Sequence, residues 1–213
     1  KTNNFFQIDT RPKIEFEKFS LPFSHHCSGG ELPIFLNNNL NKNKTYIVHC
    51  AGRTRSIIAY QTLKDFNFKN KKYVLNGGTQ NWVLSGYGRV YNNKSQLNKT
   101  KINLDKDLKL SKEISKKFKI PTTIKNNYDL NNYFFQIDTR PKSEFEKFTL
   151  PFSHHCSGGE LPIYLNNDLN TNKTYIVHCA GRTRSIIAYQ TLKDFNFRNK
   201  KLVLNGGTQN WVL

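Results

Sequence analysis

The chain of 213 residues contains no methionine, only two tryptophans and only 15 acidic residues. It begins with a lysine and stops directly after an aromatic, apolar run, so we expect a fragment of a longer protein. No apolar stretch approaches the roughly 20 residues that a helix needs to cross a bilayer. We therefore expect a soluble protein without a membrane partner.

Cysteine is scarce as well, with four residues at Cys27, Cys50, Cys156 and Cys179. Their separations of 23, 106 and 23 positions match neither a zinc-binding pattern nor a C-x-x-C redox pair. We therefore expect no metal and no cofactor. A domain of this size does not need disulfides, so the cysteine usage fits a reducing cytoplasm.

Basic residues outnumber acidic ones by 33 to 15, for a formal charge of +18. Lysine outnumbers arginine 25 to 8, and no basic block or stripe of alternating basic and aromatic residues occurs. We expect a generally basic surface and no dedicated nucleic-acid site. Four of the eight arginines lie in two short loops, at Arg53, Arg55, Arg182 and Arg184. Clustered arginine indicates bidentate recognition of an anion.

The chain contains an internal repeat. Residues 5–84 align without gaps with residues 134–213 at an offset of 129, and seven of the 80 positions differ. The period is too long for a solenoid, so a domain is duplicated. Both a recent duplication and an assembly artefact are compatible with such near-identity.

A polar segment separates the two copies. Residues 89–133 carry 11 basic and four acidic residues, and residues 108–119 are predicted to form a short helix that Pro121 ends. We expect a first domain at 1–92, a basic connector at 93–119, and a second, C-terminally truncated domain at 120–213.

Within each copy the patterns of strands and helices alternate. Strands are predicted at residues 5–8, 46–48 and 73–75, and helices at 12–19, 31–36, from 56 onward and at 80–84. This alternation predicts an α/β domain with a mainly parallel central sheet.

The most informative segment runs from a buried strand through Cys50 into a helix. Function collects at the carboxyl ends of parallel strands. Gly52 lets the backbone curl, so that successive N–H groups form an anion-binding nest. The helix start and the charges of Arg53 and Arg55 should lower the pKa of Cys50 below about 8.5. An inert cysteine that fills space at a strand end is the alternative, but these features recur together around Cys179.

Cysteine phosphatases use a loop of the form C-x5-R. Here Ser56 stands six residues after Cys50, and Arg55 comes one residue early. The loop is therefore one residue too short for a phosphate. A tighter ring should accommodate a single transferable sulfur atom on the cysteine.

Motifs along each copy resemble those of the rhodanese-like sulfurtransferases. They are Asp9-Thr10-Arg11, Glu15-Phe16, Leu21-Pro22, the segment His49-Cys50-Ala51-Gly52-Arg53-Thr54-Arg55-Ser56, and Asn76-Gly77-Gly78 with Trp82. Residues 53–58 are most similar to the tandem, multi-domain bacterial members of this family. The resemblance implies a three-layer α/β/α domain with a mainly parallel central sheet, present as a tandem repeat.

The resemblance also implies an activity. Cys50 and Cys179 would be catalytic and would carry sulfur as a persulfide in a ping-pong reaction. The donor would be a small anion such as thiosulfate, and the acceptor a thiol, cyanide or a sulfur-carrier protein. A sulfur-relay module that carries a persulfide for a partner protein, without turnover of its own, is the alternative. The substrate-binding residues would be Ala51, Gly52, Arg53, Thr54 and Arg55 in copy one, and Ala180, Gly181, Arg182, Thr183 and Arg184 in copy two.

The remaining candidates receive structural roles. Asp9 with Arg11, and Asp138 with Arg140, are expected to form ion pairs that brace the end of the sheet. His49 should point away from Cys50, because neighbouring residues of a strand face opposite sides.

For the segment around Cys27, two interpretations stay open. Cys27 (and Cys156 in copy two) is either a resolving cysteine for Cys50 or a packing residue. His25 and His26 precede it directly, but adjacent residues of an extended segment point apart, so we expect no metal site there.

Overall fold

The computed structural model describes residues 4–39, 43–94, 104–123, 134–167 and 172–212. The chain forms two compact units, Lys1–Ile102 and Asn103–Leu213. The domain boundaries at residues 92 and 119 stay predictions, whereas the division of the structure falls between residues 102 and 103.

The described residues of the first unit form four strands and four helices, with a 3-10 turn at Gly29–Glu31 before the second helix. In chain order they are β1 (Phe5–Asp9), α1 (Lys13–Lys18), β2 (Ser24–His26), α2 (Leu32–Asn39), β3 (Thr45–His49), α3 (Thr54–Asp65), β4 (Lys72–Val74) and α4 (Gly78–Leu84).

The second unit repeats this order after an additional helix and strand. Its elements are α5 (Leu104–Lys117), β5 (Thr122–Thr123), β6 (Phe134–Asp138), α6 (Lys142–Phe145), β7 (Ser153–His155), α7 (Leu161–Asn167), β8 (Thr174–His178), α8 (Thr183–Asp194), β9 (Lys201–Leu204) and α9 (Gly207–Val212).

Each unit is built on one parallel sheet. The strand order is β2-β1-β3-β4 in the first unit and β5-β9-β8-β6-β7 in the second, and the named strands pair in parallel. The predicted α/β class with a parallel sheet is therefore confirmed. The chain turns back across the sheet between β1 and β3, whose last residues Asp9 and His49 are register partners. Ligands of open α/β sheets bind at such a reversal point.

Alternating residues of the central strand fill two separate cores in the second unit. Tyr175 and Val177 lie in one buried cluster with residues of α7 and α8. Ile176, between them, packs on the opposite face with Leu150 and Leu204. Because side chains alternate along a strand, a sheet covered on both faces needs apolar residues at every position. The second unit thus has the expected three layers.

Some elements differ from the sequence-based expectation. β2 was predicted only as an extended segment, because Ser-His-His is polar and three residues long and thus carries no apolar period. The connector helix begins at Leu104 and ends at Lys117 rather than spanning 108–119, and it belongs to the second unit. Its first turn contains Asp105 and Asp107, the charges that favour a helix N-terminus.

Among the described residues, the helices are too short or too polar to cross a lipid bilayer.

Candidate functional site

Cys50 directly follows β3 and lies at the floor of a tight loop that leads into α3. Its Sγ atom is 3.3 Å from the Ser56 hydroxyl and accepts a hydrogen bond from the Gly52 N–H at 3.4 Å. The thiol in turn reaches the Arg53 carbonyl at 3.5 Å. Cys50 has no exposed surface. The loop therefore encloses the sulfur with polar groups on several sides.

These contacts shift the pKa of Cys50. Burial acts to raise it, but the hydrogen bond from the Ser56 hydroxyl and those from the backbone of Gly52, Ser56 and Arg53 outweigh burial, so the pKa is lowered. Hydrogen bonds to the charged form favour that form. The thiolate of Cys50 is thus stabilised by the backbone N–H groups that the sequence predicts and by the Ser56 hydroxyl, whereas the predicted arginine charges are not among the causes of the shift.

The second copy builds the same loop around Cys179. The Ser185 hydroxyl lies 3.2 Å from its Sγ atom, and the thiol reaches the Arg182 carbonyl at 3.5 Å. Cys179 has no exposed surface. The two loops therefore share the serine and carbonyl contacts to the sulfur as well as their sequence.

The glycine pair Gly77-Gly78 packs closely against the loop that contains Cys50. The Thr79 N–H donates to the Cys50 carbonyl at 2.8 Å. Gly52 has a φ of 116°, and a Cβ there would lie 2.5 Å from the Gly77 carbonyl oxygen. Gly78 has a φ of 56°, and a Cβ there would collide with the carbonyl oxygen of Cys50. Only glycine permits this approach and these left-handed conformations.

Arg55 lies at the end of the loop but turns away from it. Its Nη1 and Nη2 atoms donate to the two carboxylate oxygens of Glu15 at 2.8 and 3.3 Å, and its side chain is 7% exposed. Arg184 makes the same pair with Glu144 at 2.7 and 3.0 Å. This geometry favours a bracing role for both arginines over the anion-binding role that the sequence predicts, because their donors already hold a carboxylate.

The other loop arginines differ between the copies. Arg53 occupies the N-cap position of α3, makes no side-chain capping hydrogen bond there, and is exposed. Its counterpart Arg182 is only partly exposed, and its Nη1 atom donates to Asp107 Oδ2 at 3.2 Å. Arg53 is therefore well placed to meet an anion at the mouth of the first loop.

The smaller loop residues line the same turn. Ala51 and Thr54 are half-buried in the first copy. In the second copy Ala180 and Gly181 are half-buried and Thr183 is buried. Their backbone, rather than their side chains, is what the loop can offer to a ligand. Their assignment to substrate binding stays a prediction.

Asp9 and Arg11 form the ion pair expected at the end of β1. Arg11 donates through Nη2 to Asp9 Oδ2 at 2.7 Å, and through Nε to Oδ2 at 3.0 Å and to Oδ1 at 3.1 Å. The guanidinium also donates to the Phe19 carbonyl at 2.6 Å. Asp138 and Arg140 repeat the pair, with the same 2.7 Å contact. Both pairs are buried and hold the segment after the first strand onto the sheet.

His49 precedes Cys50 but contacts other groups. Its Nε2 atom lies 2.9 Å from the Ser24 hydroxyl, and its Nδ1 atom lies 3.9 Å from Asp9 Oδ2. Burial lowers the pKa of His49 to about 4, Asp9 opposing and Arg11 adding to this effect. His49 is therefore neutral near pH 7 and is held within the sheet end.

Cys27 lies in the core of the first unit with Ile8 and Leu32. Its thiol donates to the Ser28 carbonyl at 3.5 Å, and burial raises its pKa well above the usual value. Burial likewise raises the pKa of Cys156 to about 12. The four cysteines are free thiols. These environments favour packing over a resolving role, because the thiolate is the reactive form.

The adjacent histidines also have packing partners. His25 stacks on Phe6 with ring centroids 4.4 Å apart, and His26 Nε2 lies 2.8 Å from the Arg11 carbonyl. Within the described part of the chain, no group of three or more histidine, cysteine, aspartate or glutamate side chains could hold a metal ion.

Sequence reasoning missed three contributors to the site, namely Ser56, Glu15 and Gly78. Each of these residues lies within one of the motifs named above, but the sequence predicted no role for its side chain or conformation. A hydroxyl in the first turn of the helix after the cysteine is a signal that could have identified Ser56. Glu15 is 40 positions from Arg55, and no sequence pattern pairs them.

The amino-acid sequence also matches a known protein family. The family described as "Rhodanese-like domain" matches residues 1–85 and 121–213. The chain belongs to this family. The two matched stretches coincide with the two parallel sheets, so each sheet is one rhodanese-like domain, and the predicted tandem arrangement is confirmed.

Two solved structures illustrate what the chain is similar to. Thiosulfate sulfurtransferase from Pseudomonas aeruginosa is 21% identical, with a TM-score of 0.72 over 95% of this chain and 40% of that one. A rhodanese-related protein from Thermoplasma volcanium is 28% identical over 41% of this chain and 84% of its own, with a TM-score of 0.37. The chain thus spans 40% of the length of the Pseudomonas enzyme. No curated protein sequence matches the chain significantly.

Proposed function

We propose that this rhodanese-like chain is a sulfurtransferase that moves sulfane sulfur from a thiosulfate-like anion to a nucleophilic acceptor. The observation that carries the proposal is the Cys50 sulfur, held between the Ser56 hydroxyl and the Gly52 N–H with a lowered pKa. A stabilised thiolate in a ring of donors suits a nucleophile whose product, a persulfide, also carries negative charge. Cys179 would act in the same way in the second copy.

The first half-reaction forms the persulfide. The Cys50 thiol releases its proton to solvent, and the thiolate attacks the outer sulfur of the donor. A new S–S bond forms, while the old S–S bond of thiosulfate breaks and its electron pair leaves with sulfite. Because Cys50 is not exposed, the loop has to open slightly to admit the sulfur atom.

The second half-reaction returns the enzyme to its starting state. An acceptor thiolate or cyanide attacks the outer sulfur of the persulfide, and the electron pair of the cysteine S–S bond returns to Cys50. The products are a persulfide of the acceptor, or thiocyanate from cyanide. The Ser56 hydroxyl donates to the regenerated thiolate. Donor and acceptor thus use the site in turn, which is ping-pong kinetics.

The donor's sulfonate needs a cationic partner at the mouth of the loop. Arg53 is exposed there at the N-cap position of α3, and the N-terminus of this helix adds positive potential. Arg55 supports this arrangement through Glu15 rather than by touching the donor. The four free thiols fit a reducing cytoplasm, where we place the activity.

Intact mass spectrometry after incubation with thiosulfate tests the proposal. The expected result is the gain of one sulfur atom at Cys50 and one at Cys179, each lost when cyanide is added. Cys50→Ala and Cys179→Ala should each remove one of these sulfur atoms, while Cys27→Ala, a matched control, should leave both. An unchanged mass in the folded protein would contradict the proposal.

Turnover separates an enzyme from a sulfur relay. With free thiosulfate and cyanide, we expect many molecules of thiocyanate per protein. If sulfur loads once but thiocyanate stops at one equivalent per site, the chain carries persulfide for a partner protein instead.

A further inference from the structure

An acidic residue outside the repeat contacts the second active loop. Asp107, in the first turn of α5, accepts a hydrogen bond from Arg182 at 3.2 Å. Its side chain is 7% exposed and that of Arg182 is 21% exposed, so the pair is largely shielded from water. Ser111 and Ile114 are buried on the same helix, which fixes Asp107 against the unit.

Arg53 and Arg182 differ in their partners, and the sequences of the two loops do not explain this difference. The residues from Cys50 to Ser56 and those from Cys179 to Ser185 are identical in sequence. In the first unit, Arg53 is exposed and forms no ion pair with any residue that the structure describes. Within the second unit, α5 therefore places a carboxylate next to the loop of Cys179.

We propose that Asp107 is a specificity-determining residue of the Cys179 site. It acts through Arg182, whose charge it neutralises and whose Nη1 donor it occupies, and its carboxylate repels a second anion at the loop. The Cys179 site accordingly disfavours small doubly charged donors and prefers sulfur donors that carry little charge. This inference rests on the proposed sulfurtransferase function.

The charge effect is measurable without any sulfur transfer. In a Cys50→Ala background, Cys179 is alkylated separately with iodoacetate, which is an anion, and with iodoacetamide, which is neutral. Asp107→Asn should raise the ratio of the iodoacetate rate to the iodoacetamide rate by about 3- to 10-fold, as expected for removal of one nearby charge. Asp107→Glu should restore the original ratio.

Asp105→Asn is the matched control. Asp105 lies on the same turn of α5 but is exposed, so this variant removes the same charge from the helix without touching Arg182. Its alkylation ratio should stay unchanged. A purely structural role of Asp107 would alter both alkylation rates together and leave their ratio constant, which would overturn the inference.

Steady-state kinetics give the second arm of the test. In the same background, Asp107→Asn should lower the KM for thiosulfate about tenfold with little change in kcat, since it restores ground-state attraction for the anion. The inference is overturned if Asp107→Asn turns over thiosulfate with the same KM as the Asp105→Asn control and also has the same alkylation ratio. A raised alkylation ratio without turnover in any variant supports the role of Asp107 and contradicts the sulfurtransferase proposal instead.

Discussion

The hydroxyl oxygen of Ser56 lies 3.3 Å from the sulfur of Cys50, and Ser185 lies 3.2 Å from Cys179. Each serine stands in the first turn of the helix that follows its cysteine. The side chain in contact with each sulfur is thus a short, buried hydroxyl, which can donate to a thiolate or to a persulfide at little entropic cost.

Ser56→Ala should weaken the nucleophile. The variant removes a hydrogen bond that lowers the pKa of Cys50, so the pKa rises and less thiolate is present near pH 7. Loss of one hydrogen bond to a charged group should lower the alkylation rate near pH 7 about tenfold. In a Cys179→Ala background, the pH profile of iodoacetamide alkylation should move to higher pH, and thiosulfate turnover should fall by a similar factor.

Ser28→Ala is a suitable control for this substitution. The Ser28 hydroxyl bonds Glu31 at 3.0 Å, not a thiol, so the alkylation profile should stay where it is. An unshifted profile in Ser56→Ala would mean that the backbone N–H groups alone stabilise the thiolate.

The ion pair between Arg55 and Glu15 should stabilise the loop rather than bind the donor. Glu15→Gln and Arg55→Lys each break a bidentate contact with a buried guanidinium, so each should cost about 1–2 kcal/mol of unfolding free energy. Because both remove the same interaction, the double variant should cost about as much as one single variant. Urea unfolding followed by fluorescence measures these values.

The donor's KM distinguishes this role from anion binding. Loop disorder should affect kcat and KM together in both single variants. If Arg55→Lys instead raises the KM for thiosulfate while stability and Glu15→Gln kinetics stay normal, then Arg55 touches the donor, as the sequence had suggested.

The fold and the tight loop around Cys50 could be predicted from the sequence because both depend on local patterns. The apolar strand before Cys50, the glycine after it and the following helix lie within a few residues of each other. The orientation of Arg55 depends on a carboxylate 40 positions away, and the state of Arg182 on one 75 positions away. Such long-range pairs leave no periodic trace in one sequence. The three-residue strand β2 was missed for the related reason that it is short and polar.

Gly78→Ala should destabilise the first unit and distort the loop around Cys50. A Cβ there would collide with the carbonyl of Cys50 and the N–H of Gly52, at a φ that side chains rarely adopt. Gly86 is a matched control, because its φ of 79° is also left-handed but nothing lies within 4 Å. We expect Gly86→Ala to cost about 1–2 kcal/mol from backbone strain alone. Gly78→Ala should cost several kcal/mol and abolish loading of Cys50.

The stabilities of the two glycine variants can be compared directly if the fluorescence signal comes from the first unit alone. The two tryptophans, Trp82 and Trp211, lie in different units, so Trp211→Phe leaves Trp82 to report on the first. Equal losses in the two glycine variants would show that the turn relaxes away from the cysteine loop.

Two buried histidines should make the protein less stable in mild acid. Burial lowers the pKa values of His49 and His178 from 6.5 to about 4. Between these pH values the unfolded chain binds protons that the folded chain does not. The stability is therefore complete above pH 6.5 and falls as the pH drops toward 4, by on the order of 3 kcal/mol per histidine.

Urea unfolding at several pH values between 4 and 7 tests this dependence. In the Trp211→Phe background, His49→Gln should flatten the pH dependence of the first unit, whereas His178→Gln should leave it steep. A steep slope that persists in His49→Gln would assign the acid sensitivity of the first unit to groups other than this histidine.

Cys27→Ala should separate packing from a resolving role. Cys27 is buried against Ile8 and Leu32, and burial raises the pKa of its thiol, so it offers little thiolate to attack a persulfide on Cys50. The substitution should lower the unfolding free energy by about 1 kcal/mol, as expected for loss of a small buried side chain. Sulfur loading and thiosulfate turnover should stay at the level of the unaltered chain. A resolving cysteine would give another result, in which Cys27→Ala traps the persulfide on Cys50 and slows its transfer to an acceptor thiol. Mass spectrometry of the loaded protein after addition of that thiol distinguishes the two, because only the trapped persulfide keeps its extra sulfur atom.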